Sequence, residues 1–112
     1  MKVKDVEKIV VHCSATREGD DTINAEVGRK LDECGAHTKG INCKSWGVCY
    51  VGGVEKDGKT PKDTRTQKQK EALEYLLYFL KLQQPDAVIH GHRDFANKAC
   101  PSFDATEEYK DL

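Results

Sequence analysis

The sequence predicts an α/β fold, with a single mixed β-sheet flanked by helices. Three short segments rich in β-branched and other apolar residues, 9–13, 46–51 and 87–91, have the length and composition of buried strands. A longer amphipathic segment, 66–83, lies between the second and third of them. Strand, helix and strand in this order are typical of a crossover connection in a layered fold. With 112 residues the chain is expected to form one domain, 1–112.

The first half of the chain supplies two of these strands and the loops around them. The first strand, 9–13, is followed by a polar, glycine-containing stretch over 14–24 that predicts a loop. Residues 25–45 fit no regular element, because glycines interrupt every periodic pattern there. The second strand, 46–51, ends at a pair of glycines, and 54–64 contains the turn-forming residues of a surface loop.

The predicted long helix has an apolar face at helical spacing, formed by Leu73, Leu76, Leu77 and Leu80. Thr66 is in N-cap position and Gln69 follows three residues later, which is the spacing of a capping box. Pro85 marks the end of the helix. A second, short helix is predicted to begin at Asp104, with Glu107 three residues further on.

The charge balance and hydropathy of the chain exclude several classes of function. Eighteen Lys and Arg residues against nineteen Asp and Glu residues leave a net charge of −1, which argues against a broad nucleic-acid-binding surface. No apolar run approaches the ~20 residues of a membrane-spanning helix, so membrane insertion is not expected. The N-terminal residues lack the apolar core of a signal peptide, which predicts a cytoplasmic chain.

The five cysteines are expected to be reduced. Their odd number and wide spacing do not match the disulfide framework of a small secreted protein. We therefore expect buried thiols, some of them available to a metal ion. Cys49 alternates with apolar residues in the second strand, which predicts a position in the core.

Two histidines and one cysteine form the strongest candidate site, which we call the triad. His12 lies near the end of the first strand, His92 follows the third strand, and Cys100 comes eight residues later, before a proline. Loops at strand ends are where α/β folds bind ligands. Two imidazoles and a thiolate suit zinc and leave a fourth position open, as in catalytic zinc sites. Alternatively, these residues are ordinary core side chains.

A second possible zinc set competes with the triad. Its spacing, C-x2-H-x5-C-x5-C, is looser than that of known zinc-finger pairs, and its members are Cys34, His37, Cys43 and Cys49. This set would make the chain a small zinc-binding interaction module. Lys98, two residues before the triad cysteine, is either a solvated surface lysine or a cation that stabilises a developing oxyanion.

Several blocks of the sequence, in order and nearly from end to end, resemble one known family: 12–16, 26–29, 35–42, 45–53, 91–94 and 98–104. The family is the zinc-dependent N-acetylmuramoyl-L-alanine amidases, which include bacteriophage lysozyme-type amidases and peptidoglycan recognition proteins. The resemblance implies zinc bound by the triad, with Lys98 as the catalytic lysine. It also implies that His37 and Asn42 border the substrate groove and bind substrate.

The resemblance further implies the reaction and its setting. The expected activity is hydrolysis of the amide between N-acetylmuramic acid and L-alanine in peptidoglycan, as in phage or prophage endolysins. The enzyme would then act on the cell wall after release from the cytoplasm, which requires a partner such as a holin to open the membrane.

One family segment is missing from this chain. Family members carry a helix and a strand before the block at 26–29, and that strand contains a catalytic tyrosine, whereas here Ile23 runs directly into Asn24. None of the tyrosines present aligns with it. This predicts, as the alternative function, a catalytically impaired or inactive amidase-like protein that binds peptidoglycan. A homodimer formed by edge pairing or swapping would compensate for the missing strand.

Overall fold

The structure, a computed structural model, describes residues 3–17, 38 and 40–112. Its strands are β1 (Lys8–Cys13), β2 (Thr16–Arg17), β3 (Ser45–Tyr50), β4 (Gly53–Val54) and β5 (Val88–Gly91). Its α-helices are α1 (Gln67–Gln83) and α2 (Ala105–Glu108), and short 3-10 turns span Val3–Asp5, Asn42–Lys44 and His92–Asp94. Within the described residues, no helix is both long enough and apolar enough to span a membrane.

The described strands form a three-stranded sheet in the order β3-β1-β5 and a two-stranded pair of β2 with β4. All of these pairings are parallel. The chain leaves β3 on one side of β1, passes through α1 and returns as β5 on the other side, which is the predicted crossover. The predicted α/β class is confirmed, and the three predicted strands lie within one residue of their observed bounds.

The hydrophobic core lies between this sheet and α1. β1 is the central strand, and its residues Ile9, Val10 and Val11 are completely buried. The leucines predicted to form the apolar face of α1 pack into the same cluster, with Leu77 fully buried and Leu76 partly so. Because β1 is paired on both sides and covered by a helix, it provides a rigid base for the residues at its carboxyl end.

The prediction that Cys49 lies in the core is wrong. Trp46, Val48 and Tyr50 on the same strand are buried in the core cluster, whereas Cys49 is exposed. Successive side chains of a strand point to opposite faces of the sheet. The buried residues of β3 face α1, so Cys49 lies on the opposite face.

Helix α1 begins with the capping box that the sequence predicts. The Thr66 side chain accepts a hydrogen bond from the backbone N–H of Gln69 at 3.1 Å, and the Gln69 side chain accepts one from the Thr66 N–H at 2.9 Å. The Gln69 amide also donates to the carbonyl of Val51 at 2.9 Å. The first turn of the helix is thereby fastened to the chain just after β3.

Replacing Thr66 with alanine is expected to lower the free energy of unfolding by about 1 kcal/mol, because one N-terminal N–H of α1 loses its acceptor. Urea denaturation followed by circular dichroism measures this change. Gln67→Ala is the matched control, since Gln67 is an exposed residue of the same turn. Equal unfolding midpoints for the two variants would contradict the capping role.

A buried arginine joins the loop before α1 to the C-terminal helix. The Arg65 side chain is completely buried and forms ion pairs with Asp63 at 2.8 Å and Glu108 at 2.7 Å. Its guanidinium also donates to the hydroxyl of Tyr109 at 2.8 Å and lies 3.5 Å from the ring centroid of Phe103. These contacts satisfy the charge and hold the segment after residue 100 against the core.

The Arg65 ion pairs predict a loss of stability in acid. Hydrogen bonds from Arg65 lower the pKa of Glu108. Burial alone would raise the pKa of Asp63, but the hydrogen bonds and charge of Arg65 outweigh it, so this pKa is also lowered. A carboxyl group with a depressed folded-state pKa stabilises the fold above its unfolded pKa of roughly 4 and loses that contribution as the pH falls through the folded value.

Glu108→Gln therefore tests this dependence on pH. The free energy of unfolding of the variant is expected to be about 1 kcal/mol below that of the wild type near pH 7, a value discounted because the carboxylate is nearly half exposed. The difference should disappear once the pH falls below the lowered pKa of Glu108. Urea denaturation at a series of pH values measures the difference. A difference that stays constant from pH 7 to pH 2 would show that ionisation of Glu108 contributes nothing.

Candidate metal centre

The register of β1 and β5 brings the two triad histidines together. The strands are parallel, with Val11 opposite Gly91. His12 and His92 each follow one of these partners and so lie side by side at the carboxyl edge of the sheet. Their ring centroids are 4.5 Å apart, and the ring planes are inclined by 54°. Sequence positions eighty residues apart thus become neighbours because of a strand pairing.

The third member of the triad reaches the site from the loop after the His92–Asp94 turn. The carbonyl of Cys100 accepts a hydrogen bond from the N–H of Arg93 at 2.7 Å, which closes this loop. The Cys100 sulfur accepts a hydrogen bond from the N–H of Cys13 at 3.2 Å and lies 3.9 Å from Nδ1 of His12. The backbone of β1 therefore directs the thiol towards the histidines.

The triad residues suit a metal ion in number, kind and spacing. One ligand atom from each of His12, His92 and Cys100 lies within 4.8 Å of the others. All three residues are partly exposed, so the site opens to solvent. Two imidazoles and a thiol are a donor set that zinc favours, and three protein ligands leave a position for water or substrate.

The electrostatics around the triad favour a neutral imidazole at His92. Burial lowers the pKa of His92, and the positive charge of Lys98 lowers it further. The two thiols affect each other: a hydrogen bond with Cys100 lowers the pKa of Cys13 to about 6, and the same contact raises the pKa of Cys100. A divalent cation at the triad would favour the thiolate form of Cys100 instead.

The turn that carries His92 is fixed by Asp94. One oxygen of this carboxylate, Oδ2, accepts a hydrogen bond from the N–H of Gly91 at 3.3 Å and another from the hydroxyl of Thr106. The same oxygen lies 3.4 Å from Nδ1 of His90. Sequence reasoning assigned no role to Asp94, although an acidic residue three positions after the end of a strand is a signal of such a turn.

Sequence reasoning also missed Tyr50 and Ser102, which hold the loop around Cys100. The hydroxyl of Tyr50 donates to the carbonyl of Pro101 at 2.6 Å, and the hydroxyl of Ser102 donates to the carbonyl of Gly53 at 2.7 Å. The alternation of β3 predicts that Tyr50 is buried. Its hydrogen-bond partner follows only from the tertiary fold.

The structure places the predicted substrate residues only in part. His37 lies outside the described residues. The side-chain oxygen of Asn42 accepts a hydrogen bond from the N–H of Thr38 at 2.9 Å, and Asn42 begins the turn Asn42–Lys44. Lys98 is exposed, and its charge acts on His92.

The competing zinc set is not supported by its described members. Cys34 and His37 lie outside the described residues. Cys43 is disulfide-bonded, so the expectation of reduced thiols is wrong for this residue. A disulfide sulfur is not available as a thiolate ligand. Cys49 is free but exposed on the outer face of β3.

Comparison with known proteins shows similarity to phage endolysins. The chain is 37% identical over 131 residues to the endolysin of Klebsiella phage KP32, covering 92% of this chain and 85% of the relative. It is 36% identical over 129 residues to the endolysin of Enterobacteria phage K11, with the same coverage. Both aligned regions are longer than the whole 112-residue chain, so the relatives contain internal residues that have no counterpart here. No family model matches the chain.

The fold is similar to that of a solved protein. The structure aligns with that of N-acetylmuramoyl-L-alanine amidase LysC from Clostridium intestinale, with a TM-score of 0.72 and 16% sequence identity. The alignment covers 96% of this chain and 83% of LysC. At this identity the likeness concerns the fold alone, and it agrees with the α/β class.

Proposed function

Because the chain belongs to the N-acetylmuramoyl-L-alanine amidase family, together with these phage endolysins, we propose that it is a zinc-dependent peptidoglycan hydrolase. The bond it cleaves is the amide between the lactyl group of N-acetylmuramic acid and L-alanine. The observation that carries the proposal is the convergence of His12, His92 and Cys100 at the open end of the sheet. Family membership without this convergence would support a peptidoglycan-binding protein equally well.

The triad would hold the zinc ion, with two neutral nitrogen donors and one thiolate. Bound there, zinc would polarise the scissile carbonyl and lower the pKa of a water towards ~7. The N–H of Cys13 donates a hydrogen bond to the Cys100 sulfur, which lies 3.9 Å from Nδ1 of His12, so this contact holds the sulfur near the imidazoles. The partly exposed position of the triad gives a polymeric substrate access to it.

Lys98 is proposed to stabilise the negative charge that develops on the carbonyl oxygen during attack on the amide. Its side chain is exposed, and its charge already reaches His92. A cation fixed near a developing oxyanion lowers the barrier because the attraction is stronger in the transition state than in the substrate. Asn42 and His37 are proposed to bind the substrate, as the family resemblance implies.

The proposed substrate also implies where the protein acts. Peptidoglycan lies outside the cytoplasm, so we propose that the chain acts on the cell wall after release, with a partner such as a holin opening the membrane. The homodimer expected from the missing family segment also remains a prediction. Size-exclusion chromatography with light scattering tests it.

The second candidate function is a catalytically impaired amidase-like protein that binds peptidoglycan without cleaving it. It is favoured by the alignments with relatives, which extend over more residues than this chain contains. The hydroxyl of Tyr50 is bound to Pro101 and that of Tyr109 to Arg65, while Tyr75 and Tyr78 are exposed on α1. None of these four tyrosines is an aligned substitute for the catalytic tyrosine of the family.

Incubation of the purified chain with purified peptidoglycan separates the two functions. An active amidase releases peptides with free L-alanine amino groups and creates no new reducing sugar ends. Chelation should stop the release, and added zinc should restore it. A chain that sediments with peptidoglycan but releases no amino groups, with or without zinc, would establish the second function instead.

A further inference from the structure

We propose that the hydroxyl groups of Tyr50 and Ser102 position the Cys100 thiolate and thereby set the affinity of the triad for zinc. Both are positioning residues, since they act through the loop that carries Cys100. The inference rests on the proposed function, because it takes the triad as the zinc site. It concerns residues to which the family resemblance assigns no role.

The Tyr50 hydroxyl fixes the residue that directly follows Cys100. Tyr50 is only 6% exposed, and its hydroxyl donates to the carbonyl of Pro101 at 2.6 Å. Burial raises the pKa of Tyr50, so the phenol stays protonated and remains a donor. Pro101 is itself fully buried, which excludes water as a substitute partner for its carbonyl. The hydrogen bond joins β3 to the ligand loop.

The Ser102 hydroxyl anchors the same loop from another side. It donates to the carbonyl of Gly53, in β4, at 2.7 Å. Ser102 has a φ of +70°, a conformation that is unusual for residues other than glycine and that other contacts must maintain. The hydrogen bond to β4 is one such contact, and another joins the N–H of Ser102 to the carbonyl of Ala99 at 2.7 Å.

Close packing leaves the loop little freedom around these two anchors. A Cβ added to Gly91 would lie 2.9 Å from Cδ of Pro101, so the ring of Pro101 rests directly on the backbone of β5. A Cβ added to Gly53 would lie 3.5 Å from Oγ of Ser102, so Ser102 packs closely against the backbone of β4. A displacement of Pro101 or Ser102 would therefore move the Cys100 sulfur relative to the histidines, which sit on the rigid strand ends.

The zinc affinity of the triad should depend on how firmly the Cys100 sulfur is held before zinc binds. Outer partners that orient a metal ligand typically change metal affinity 10–100-fold when they are removed. Tyr50→Phe and Ser102→Ala each remove a single hydroxyl group and leave the triad itself intact. Each is expected to weaken zinc binding about 10-fold, measured by competition with a chromophoric chelator at fixed pH. The thiolate absorption band of the Co²⁺-loaded protein should shift in the same variants.

Tyr109→Phe is the matched control. Tyr109 is 7% exposed, and both tyrosines contact the Phe103 ring, with centroids 6.0 Å away for Tyr50 and 6.2 Å away for Tyr109. The Tyr109 hydroxyl, however, accepts a hydrogen bond from Arg65 and makes no hydrogen bond to the Cys100 loop. Its removal should lower thermal stability but leave the zinc dissociation constant within about 2-fold of the wild type. This change is much smaller than the loss of about 10-fold expected for Tyr50→Phe.

Each result decides between the alternatives. A wild-type chain that binds no zinc overturns the proposed function and this inference with it. A wild type that binds zinc, together with Tyr50→Phe and Ser102→Ala variants of unchanged affinity, overturns the inference alone. Equal losses in Tyr50→Phe and Tyr109→Phe would show a general effect of core stability and also overturn it. If Tyr50→Phe does not fold, the affinity of Ser102→Ala decides.

Discussion

Replacing His92 with alanine is expected to abolish both zinc binding and peptidoglycan hydrolysis. His92 supplies one of the three donors of the triad, and two donors cannot hold zinc with the geometry of a catalytic site. The loss of zinc affinity should exceed about 100-fold. This is more than the loss expected when a residue that only orients a metal ligand is removed. Zinc content after dialysis and release of L-alanine amino groups measure the two effects.

His90→Ala is the control for this prediction. His90 lies two residues away on β5, where it contacts Asp94 and the ring of Phe95 but does not belong to the triad. Because its contact with Asp94 acts only indirectly on the turn that carries His92, it should retain zinc, with a loss of affinity well below that of His92→Ala. A His92→Ala variant that keeps full activity would exclude the triad as the catalytic centre, whatever the behaviour of His90→Ala.

Replacing Arg65 with alanine is expected to cause a large loss of stability. The guanidinium is fully buried between Asp63 and Glu108 and stacks on Phe103, so its removal breaks several contacts and leaves a cavity. Breaking such a buried pair costs about 3–5 kcal/mol, and the lower figure applies because both carboxylates are partly exposed. For a chain of this size, 3 kcal/mol corresponds to a decrease of roughly 12–24 °C in melting temperature.

The control for Arg65→Ala is an ion pair of the same kind at the surface. Lys110 pairs with Glu107 at 2.8 Å, and both side chains are more than half exposed. Lys110→Ala should change stability by less than about 0.5 kcal/mol. Similar melting temperatures for the two variants would contradict a structural role of the buried charge. Arg65→Lys should also be destabilised, because an ammonium group cannot reproduce the planar contacts of the guanidinium.

Local patterns in the sequence were sufficient to predict most of the fold. The β-branched run in β1 and the leucine spacing and capping box of α1 all identify elements that the structure contains. Asp104 caps the second helix by accepting a hydrogen bond from the N–H of Glu107, as predicted. These signals are local, since each depends on residues a few positions apart. They can therefore be interpreted without knowledge of the tertiary contacts of the folded chain.

The parts that could not be predicted depend on contacts between distant residues. The apolar neighbours of Cys49 predict that it is buried, but the packing of the sheet decides which face of β3 meets α1. The partner of the Tyr50 hydroxyl lies 51 residues further along the chain. Arg65 resembles an ordinary loop arginine in the sequence, and its burial follows from the position of α2.

The candidate site falls between these two cases. His12 and His92 could be predicted as neighbours, because both lie at the carboxyl ends of strands in a parallel sheet. Cys100 could be named as a candidate ligand from its chemistry and its place in the loop after His92, but no spacing rule predicts that a residue eight positions after His92 returns to the end of β1. The structure brings it there through the Arg93 and Cys13 hydrogen bonds.

X-ray absorption at the zinc edge of the zinc-loaded chain tests the central claim most directly. We predict one sulfur neighbour at about 2.3 Å and two imidazole nitrogens at about 2.0–2.1 Å, with the sulfur signal lost in Cys100→Ser. Two or more sulfur neighbours, or a sulfur signal that persists in Cys100→Ser, would place zinc on other cysteines and contradict the triad as the metal centre.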